Sequence, residues 1–379
     1  MGITLFFCCA FLLLYSPLLY PLILWLLAVL FGRESRSDGS FTPQVSVLIP
    51  AYDEEAVIAR KLENTLALDY PRERLEILVA SESDDATDDI VRGFAGRGVR
   101  LLPSAVRRGK VANLGRAVPE SRGEILLLTD ANAMIRPEAL RRIVRHFADP
   151  RIGSVSGRLT YVNPGGGAAG ASERLYWGME QIVKKASSRL FSLPGANGSV
   201  FAVRKSAYRP IAEDRGDDFE IPIRCVIDGL GSILEPDAIS VEEAAGGFVQ
   251  EYRRKVRIIH WMLRSALILL GEALGRRRWL LAFQLLSHKI NRWAMPFWLL
   301  GLFAASVTLA GRGGFFRAAA VAQAAAYGAS LLLLAIDRTI RPLRGLLGAP
   351  VYFLVVNAAS FVGIVSCLAR REVTWHKTR

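Results

Sequence analysis

Carboxylates follow short apolar runs in this chain, and that spacing is where chemistry can be sought. Leu127-Leu128-Thr129-Asp130-Ala131-Asn132 takes an apolar strand straight into Asp130, with Asn132 two residues on and facing the same way. A carboxylate and an amide oxygen so placed can hold Mg2+ or Mn2+ against a diphosphate, because magnesium takes one or two carboxylates plus substrate phosphates. The plainer reading makes Asp130 a helix N-cap, but the helical pattern starts only near Pro137. Asp217-Asp218-Phe219-Glu220-Ile221-Pro222 is the second constellation. Proline is tolerated in a helix's first turn, which predicts a helix starting near Pro222 with both aspartates just ahead of it. Adjacent carboxylates repel, which raises one pKa and prepares a general base. Capping accounts for one of the pair, hardly for both.

Two further acidic turns leave strands. Pro50-Ala51-Tyr52-Asp53-Glu54-Glu55 follows the first and Glu82-Ser83-Asp84-Asp85 the second. Each alone reads as an N-cap with first-turn acids, favourable at a helix's positive end. Three strands with acids at the same sheet edge are harder to assign to capping. Tyr252-Arg253-Arg254-Lys255-Val256-Arg257 is a dense basic cluster. Arg254 and Arg257 share a helix face, and either neutralise a leaving diphosphate or form a membrane-surface patch.

The elements that position these residues alternate. Val45–Ile49, Glu76–Ala80, Val99–Leu102, Ile125–Thr129 and Ile152–Ser156 are short, β-branched or apolar runs. Helical patterns fall through Ile58, Leu62, Thr65 and Leu66, near Ala86, and over Val111–Val118 and Pro137–Phe147. Alternation predicts an α/β fold with a parallel, doubly wound sheet. Such sheets bind ligands beyond the carboxyl ends of their strands, where the acids sit.

Hydrophobic residues make up 51% of the 379 and net charge is +13. The apolar residues gather at the N-terminus and in the last third. Ile3–Phe31 carries no charge and is long enough to span a bilayer; with no basic residues before it and no small-residue cleavage site after, it reads as an uncleaved anchor kinked at Pro17 and Pro21. Trp293–Ala310, Ala318–Ile336 and Leu347–Ala369 are further candidate spans, whereas Met262–Asn291 mixes Leu and Ile with Arg264, Glu272, Arg276, Arg277, Arg278 and Lys289 and reads as amphipathic and interfacial. Arg33 and Arg36, with Arg338, Arg341 and Arg344, put the middle domain in the cytoplasm, while Arg370, Arg371, Lys377 and Arg379 run against a four-span count. Basic membrane flanks account for the excess charge, and no basic stripe with interleaved aromatics points to nucleic acid. Cys8, Cys9, Cys225 and Cys367 show no disulfide or zinc spacing.

With these residues in order, the chain resembles the membrane-bound family 2 glycosyltransferases of the GT-A fold, the branch of cellulose, hyaluronan and related polysaccharide synthases. The resemblance covers about Val45 to Trp261. It implies a Rossmann-like, mostly parallel sheet with helices on both faces and terminal transmembrane helices. Pro50-Ala51-Tyr52-Asp53-Glu54 looks like the nucleotide-binding turn, with Asp53 where Asn is commoner; Glu82 falls where the family places an Asp on the nucleoside. Gly109-Lys110, with Asn113 and Gly115, is similar to the turn beside the donor. Asp130-Ala131-Asn132 takes the place of the DxD metal and diphosphate motif, with Asn for the second Asp. Gly195-Ala196-Asn197-Gly198-Ser199 looks like the glycine-rich acceptor-side loop, Asp217-Asp218 replaces the ED pair with Asp218 as base, and Arg254-Lys255-Val256-Arg257-Ile258 stands in for QxxRW.

The implied activity is inverting transfer of a sugar from a nucleotide sugar, UDP-linked by preference, with Mg2+ or Mn2+. The acceptor would be a growing polysaccharide or glycolipid at the cytoplasmic face of a multi-pass cell-membrane protein. Two alternatives stand beside it: single-sugar transfer to a lipid-linked acceptor, and a non-catalytic sugar-nucleotide-binding scaffold. The corresponding division is an anchor (1–32), a GT-A domain (44–261), an interfacial segment (262–291) and a C-terminal transmembrane region (292–379).

Overall fold

The computed structural model describes residues 2–162, 180–243, 248–339 and 348–369. The apolar runs are strands. In β1 (Val45–Ala51) every residue except Pro50 is buried. β2 (Leu75–Ser81) and β4 (Ile125–Leu128) flank β1 in parallel, and β3 (Val99–Pro103) continues in parallel from β2. Burial on both faces explains the near-continuous apolar sequences. Val47 and Ile49 pack with Ile58 and Leu62 of the helix Ile58–Leu66. Leu48, pointing the other way, packs with Leu114 and Ala117 of the helix Lys110–Glu120.

Beyond β4 the sheet is mixed. β5 (Met134–Ile135), β6 (Ile152–Val162), β7 (Phe201–Arg204) and β8 (Gly231–Glu243) complete the order β3-β2-β1-β4-β7-β6-β8-β5. β7 lies antiparallel between β4 and β6, while β6 and β8 are parallel. β5 and β7 are too short to show a period, so the alternation predicts a more uniformly parallel sheet than the chain forms. β6 bends where its register shifts at Gly157; a Cβ there would meet Ala238 O and Val200 Cγ1 at 2.6 Å.

The helix expected to begin near Pro222 begins instead at Asp217 and runs to Ile227, with Pro222 inside it. The proline has no N–H for the Asp218 carbonyl one turn back. That carbonyl accepts a 2.7 Å hydrogen bond from Ala196 N–H instead. An interior proline is tolerated here because the glycine-rich loop takes its place as donor. The two aspartates are therefore first-turn residues.

Among the described residues five helices are long and apolar enough to cross a membrane: Gly2–Phe31, Glu251–Gly275, Met295–Arg312, Gly314–Ile336 and Gly348–Leu368. The first is interrupted by a wide π-turn, Tyr15–Leu19, around Pro17, which cannot donate to Leu13. The division expected between 261 and 262 falls inside one continuous helix, Phe248–Gly275, so the basic cluster and the amphipathic stretch share an element. That helix stays on the α/β domain: Arg264 pairs with Asp214, Arg224 with Glu272 at 3.2 Å, and Arg276, just past its end, with Asp228 at 2.7 Å. On another side it receives Gly348–Leu368, where His260 Nδ1 and Ser366 Oγ are 2.9 Å apart. Arg341, Arg344 and the tail from Arg370 lie outside the described residues.

Gly123 marks the tightest approach on β1. A Cβ there would lie 2.3 Å from Ser46 N and 2.7 Å from Val45 C, both backbone atoms. Gly123→Ala is expected to destabilise the full chain by about 3 kcal/mol in thermal unfolding in detergent. Gly93→Ala, with nothing within 4 Å, should leave it unchanged or slightly firmer. Equal melting temperatures for the two variants would contradict this account of the packing.

Candidate active site

Asp130 follows β4 directly, and a buried lysine fixes the turn that carries it. Lys61 Nζ donates to Thr129 Oγ1 at 2.8 Å and to Ala133 O at 2.5 Å, bracketing Asp130-Ala131-Asn132. Thr129 Oγ1 donates onward to Ser199 O at 2.7 Å, tying the turn to the glycine-rich loop. Burial pushes the Lys61 ammonium down to about 7, against the pull of Asp130 and Glu242. Sequence reasoning missed Lys61. Its signal was a lysine on the apolar stripe of Ile58, Leu62 and Thr65.

Glu82 is buried, and its Oε2 accepts from Arg108 N at 3.0 Å and Gly109 N at 2.8 Å. The residue expected on the nucleoside thus shapes the loop entering the helix Lys110–Glu120. Gly109, at φ +97°, makes the turn that only glycine adopts readily. Lys110 then places Nζ 2.8 Å from Asp130 Oδ1 and 3.0 Å from Asp217 Oδ2. Burial opposes its charge, but Asp130, Asp217 and Asp218 outweigh burial and hold Lys110 well above the usual lysine range.

Asp218 is the perturbed carboxylate. Burial first, then the charge of Asp217, push it up to about 6, with Lys110 pulling it back. The glycine-rich loop closes against it: a Cβ on Gly198 would come within 3.2 Å of Asp218 Oδ2. Gly195, at φ +116°, lets the loop turn over Phe219. Asn197 anchors the loop, donating from Nδ2 to Gly157 O at 2.5 Å and from its backbone to Ser156 Oγ at 3.0 Å, while Oδ1 accepts from Lys184 at 2.8 Å.

The first acidic turn is stitched to the second. Ala51 O, just past Pro50, accepts from Glu82 N at 3.1 Å, Asp53 N donates to Ser83 Oγ at 2.9 Å, and Asp84 N donates to Asp53 Oδ1 at 3.1 Å. Glu54 N donates to Thr87 Oγ1 at 2.8 Å. Asp53 sits at φ +50°, the left-handed region that Asn and Asp tolerate best among side-chain-bearing residues. The Arg107 guanidinium lies 3.9 Å above the Tyr52 ring. The basic cluster is organised differently from expectation: Arg254 is bidentate on Glu251 at 2.9 and 3.1 Å, and Arg257 lies 6.0 Å from the Trp261 ring centre.

Among the described residues no three His, Cys, Asp or Glu side chains converge to hold a metal. Asp130, a third exposed, and Asn132 offer one carboxylate and one amide oxygen. That donor set fits an ion completed by diphosphate and water, not one caged by protein alone.

A sheet of this order, with an acid beyond β4, an aspartate pair at a helix start and a glycine-rich loop between them, is that of a GT-A glycosyltransferase. The profile of "Glycosyltransferase like family 2" matches residues 43–260, and the chain belongs to that family. It is 29% identical to a "Probable glycosyltransferase YdaM" of Bacillus subtilis over 59% of this chain and 56% of that one. A beta-monoglucosyldiacylglycerol synthase of Synechocystis is 33% identical over 32% of this chain and 26% of its own. The chain thus spans about half or less of these relatives. The mannosyltransferase PcManGT of Pyrobaculum calidifontis, solved with GDP-Man and Mn2+, has the same fold: TM-score 0.74 at 22% identity, over 98% of this chain and all of that one.

Removing the Glu82 carboxylate should free the Arg108–Gly109 loop. Glu82→Ala is expected to speed tryptic cleavage after Arg107 and Arg108 by roughly tenfold, through local opening. Unchanged cleavage would show that Glu82 does not hold that loop.

Proposed function

We propose that this glycosyltransferase moves a sugar from a nucleotide-sugar donor, UDP-linked by preference, to an acceptor hydroxyl at a membrane surface, with inversion at the anomeric carbon. The observation that carries the reading is the meeting of Lys110, Asp130, Asp217 and an Asp218 carboxyl pushed up to about 6 beneath the glycine-rich loop. A general base is most effective with a pKa near working pH. Asp218 takes the proton of the acceptor hydroxyl while its oxygen attacks the anomeric carbon. A single base matches direct displacement, hence inversion.

Pro50, Ala51, Tyr52, Asp53 and Glu54 form the donor-side turn, which Glu82 braces. Lys110 faces the diphosphate side and keeps Asp130 and Asp217 in place. Asp130 and Asn132 would hold Mg2+ or Mn2+, which supplies positive charge to the diphosphate. Gly195, Asn197 and Gly198 form the acceptor-side wall. Arg254, paired with Glu251, and Arg257 stand at the membrane side and are assigned to the departing diphosphate only after that pair opens.

Membrane placement rests on the apolar helices Gly2–Phe31, Met295–Arg312, Gly314–Ile336 and Gly348–Leu368, the last of which packs on the helix Glu251–Gly275, itself held beside the α/β domain by contacts with residues 214–228. Arg33 and Arg36, just past the first apolar helix, support a cytoplasmic position for that domain. A growing polysaccharide and a lipid are both acceptors of the right chemistry. The second reading, single-sugar transfer to a lipid, is favoured by the likeness to a beta-monoglucosyldiacylglycerol synthase.

The test is release of nucleoside diphosphate by detergent-purified protein offered a panel of nucleotide sugars with Mn2+. Asp130→Ala should lose more than ~100-fold and Asp218→Asn nearly all activity. Chelation should stop release, and added Mn2+ should restore it. Asp218 acts as base only when ionised, so kcat/KM should fall as pH drops through about 6. Lys110→Met removes a charge that lowers that pKa, so its acid limb should move to higher pH. Wild-type rates in Asp218→Asn would overturn the assignment, and a catalytically silent wild type would leave the scaffold reading.

A further inference from the structure

One helix underlies two of the turns assigned to the donor. Ile58–Leu66 starts directly from the first acidic turn, where Val57 N and Ile58 N both donate to Glu54 O at 2.9 Å. Lys61 and Asn64, three residues apart and so on one face of that helix, both reach the segment that follows β4. Asn64 holds Ile135 at two points: its Nδ2 donates to Ile135 O and its Oδ1 accepts from Ile135 N, each at 2.8 Å. Lys61, fully buried, donates to Thr129 Oγ1 and to Ala133 O.

The segment between those two acceptors is a closed turn, with Ala133 N donating to Asp130 O at 3.2 Å. Ala131 and Ala133 are buried on its inner side, while Asp130 and Asn132 keep part of their surface exposed. Lys61 therefore grips the residue before the turn and the last residue within it, and leaves the two side chains offered to a cation untouched. Thr129 Oγ1 passes the contact on, donating to Ser199 O at 2.7 Å, and Ser199 Oγ lies 2.7 Å from Ser240 Oγ.

Both acceptors of the Lys61 ammonium are neutral, so hydrogen bonding alone does not call for a lysine. Burying an ammonium is costly, and an apolar side chain of the same length avoids that cost. Against burial, Asp130 first and Glu242 second favour its charge. Asp130 thus has two lysines about it with different footing. Lys110, a third exposed, holds its Oδ1 directly at 2.8 Å, where an arriving cation must compete. Lys61 holds only the backbone and the neighbouring hydroxyl, where a cation does not compete.

We propose that Lys61 is the positioning residue of the cation site: by gripping Thr129 and Ala133 it fixes the turn so that the Asp130 carboxylate and the Asn132 amide oxygen face one divalent ion. The same helix keeps that turn in register with the donor-side turn at Glu54. Lys61 itself touches neither ion nor donor. The proposal rests on the reading of Asp130 and Asn132 as metal holders and names a residue on which their affinity depends.

The experiment is Mn2+ binding to the detergent-purified full chain, followed by the electron paramagnetic resonance of the free ion with UDP or GDP present. Lys61→Met keeps the length of the side chain and removes the ammonium. It should weaken Mn2+ by roughly tenfold or more, while nucleotide binding without Mn2+ stays within about twofold of wild type. In turnover, saturating Mn2+ should restore most of kcat to Lys61→Met but not to Asp130→Ala. Where Lys61→Met fails to fold, Thr129→Val, which deletes one acceptor from a side chain of similar shape, should weaken Mn2+ by about threefold. Thr65→Val controls for a loosened helix, because that hydroxyl donates to Lys61 O at 2.8 Å and does not reach the turn. It should lower the melting temperature and leave Mn2+ affinity unchanged. Wild-type Mn2+ affinity in Lys61→Met, or an equal loss in Thr65→Val, overturns the proposal and spares the metal reading. A wild type that takes up no Mn2+ with either nucleotide overturns both.

Discussion

Three carboxylates from two distant parts of the chain meet around one ammonium, and the rest of the structure is arranged to make that tolerable. Asp130, Asp217 and Asp218 repel one another, and Lys110 lies within 3.0 Å of two of them. Each member is fixed from behind. Glu82 shapes the loop that aims Lys110, Lys61 clamps the turn bearing Asp130, and Ala196 bonds the carbonyl of Asp218. Fixed charges of this kind are what electrostatic catalysis requires.

The same arrangement joins the α/β domain to the apolar helices. The helix Phe248–Gly275 is bound to one by Arg264–Asp214 and Glu272–Arg224, and to the other by His260 and Ser366. Lys289 lies over Phe219, so charge in the helical region is felt at Asp218. Whatever neutralises Lys289 also removes a charge that lowers the Asp218 pKa.

Much of the sheet was legible because buried parallel strands leave unbroken apolar runs, as in Val45–Ile49 and Leu126–Leu128. β5 and β7 were not, since a few paired residues carry no period, and β7's reversal changes the sheet from parallel to mixed. Pro222 misplaced a helix start because the rule that bars interior proline assumes no other donor for the freed carbonyl. Ala196 is that donor, and it lies in another loop. The break expected after Trp261 followed a change of composition, yet hydrogen bonding continues unbroken through Gly275.

What the sequence determined alone was the kind of protein: acids at strand ends, an aspartate pair and apolar termini are local patterns written in residue type and spacing. The family match and the shared fold agree with that reading. Only the tertiary structure decided how roles divide among those residues. It made Glu82 a brace of the Arg108–Gly109 loop, gave Arg254 a carboxylate partner, and brought the unremarked Lys61 beneath the turn of Asp130. The reason is physical. A side chain's type is fixed by sequence, but its burial, its partners and hence its charge state depend on which distant segments pack against it.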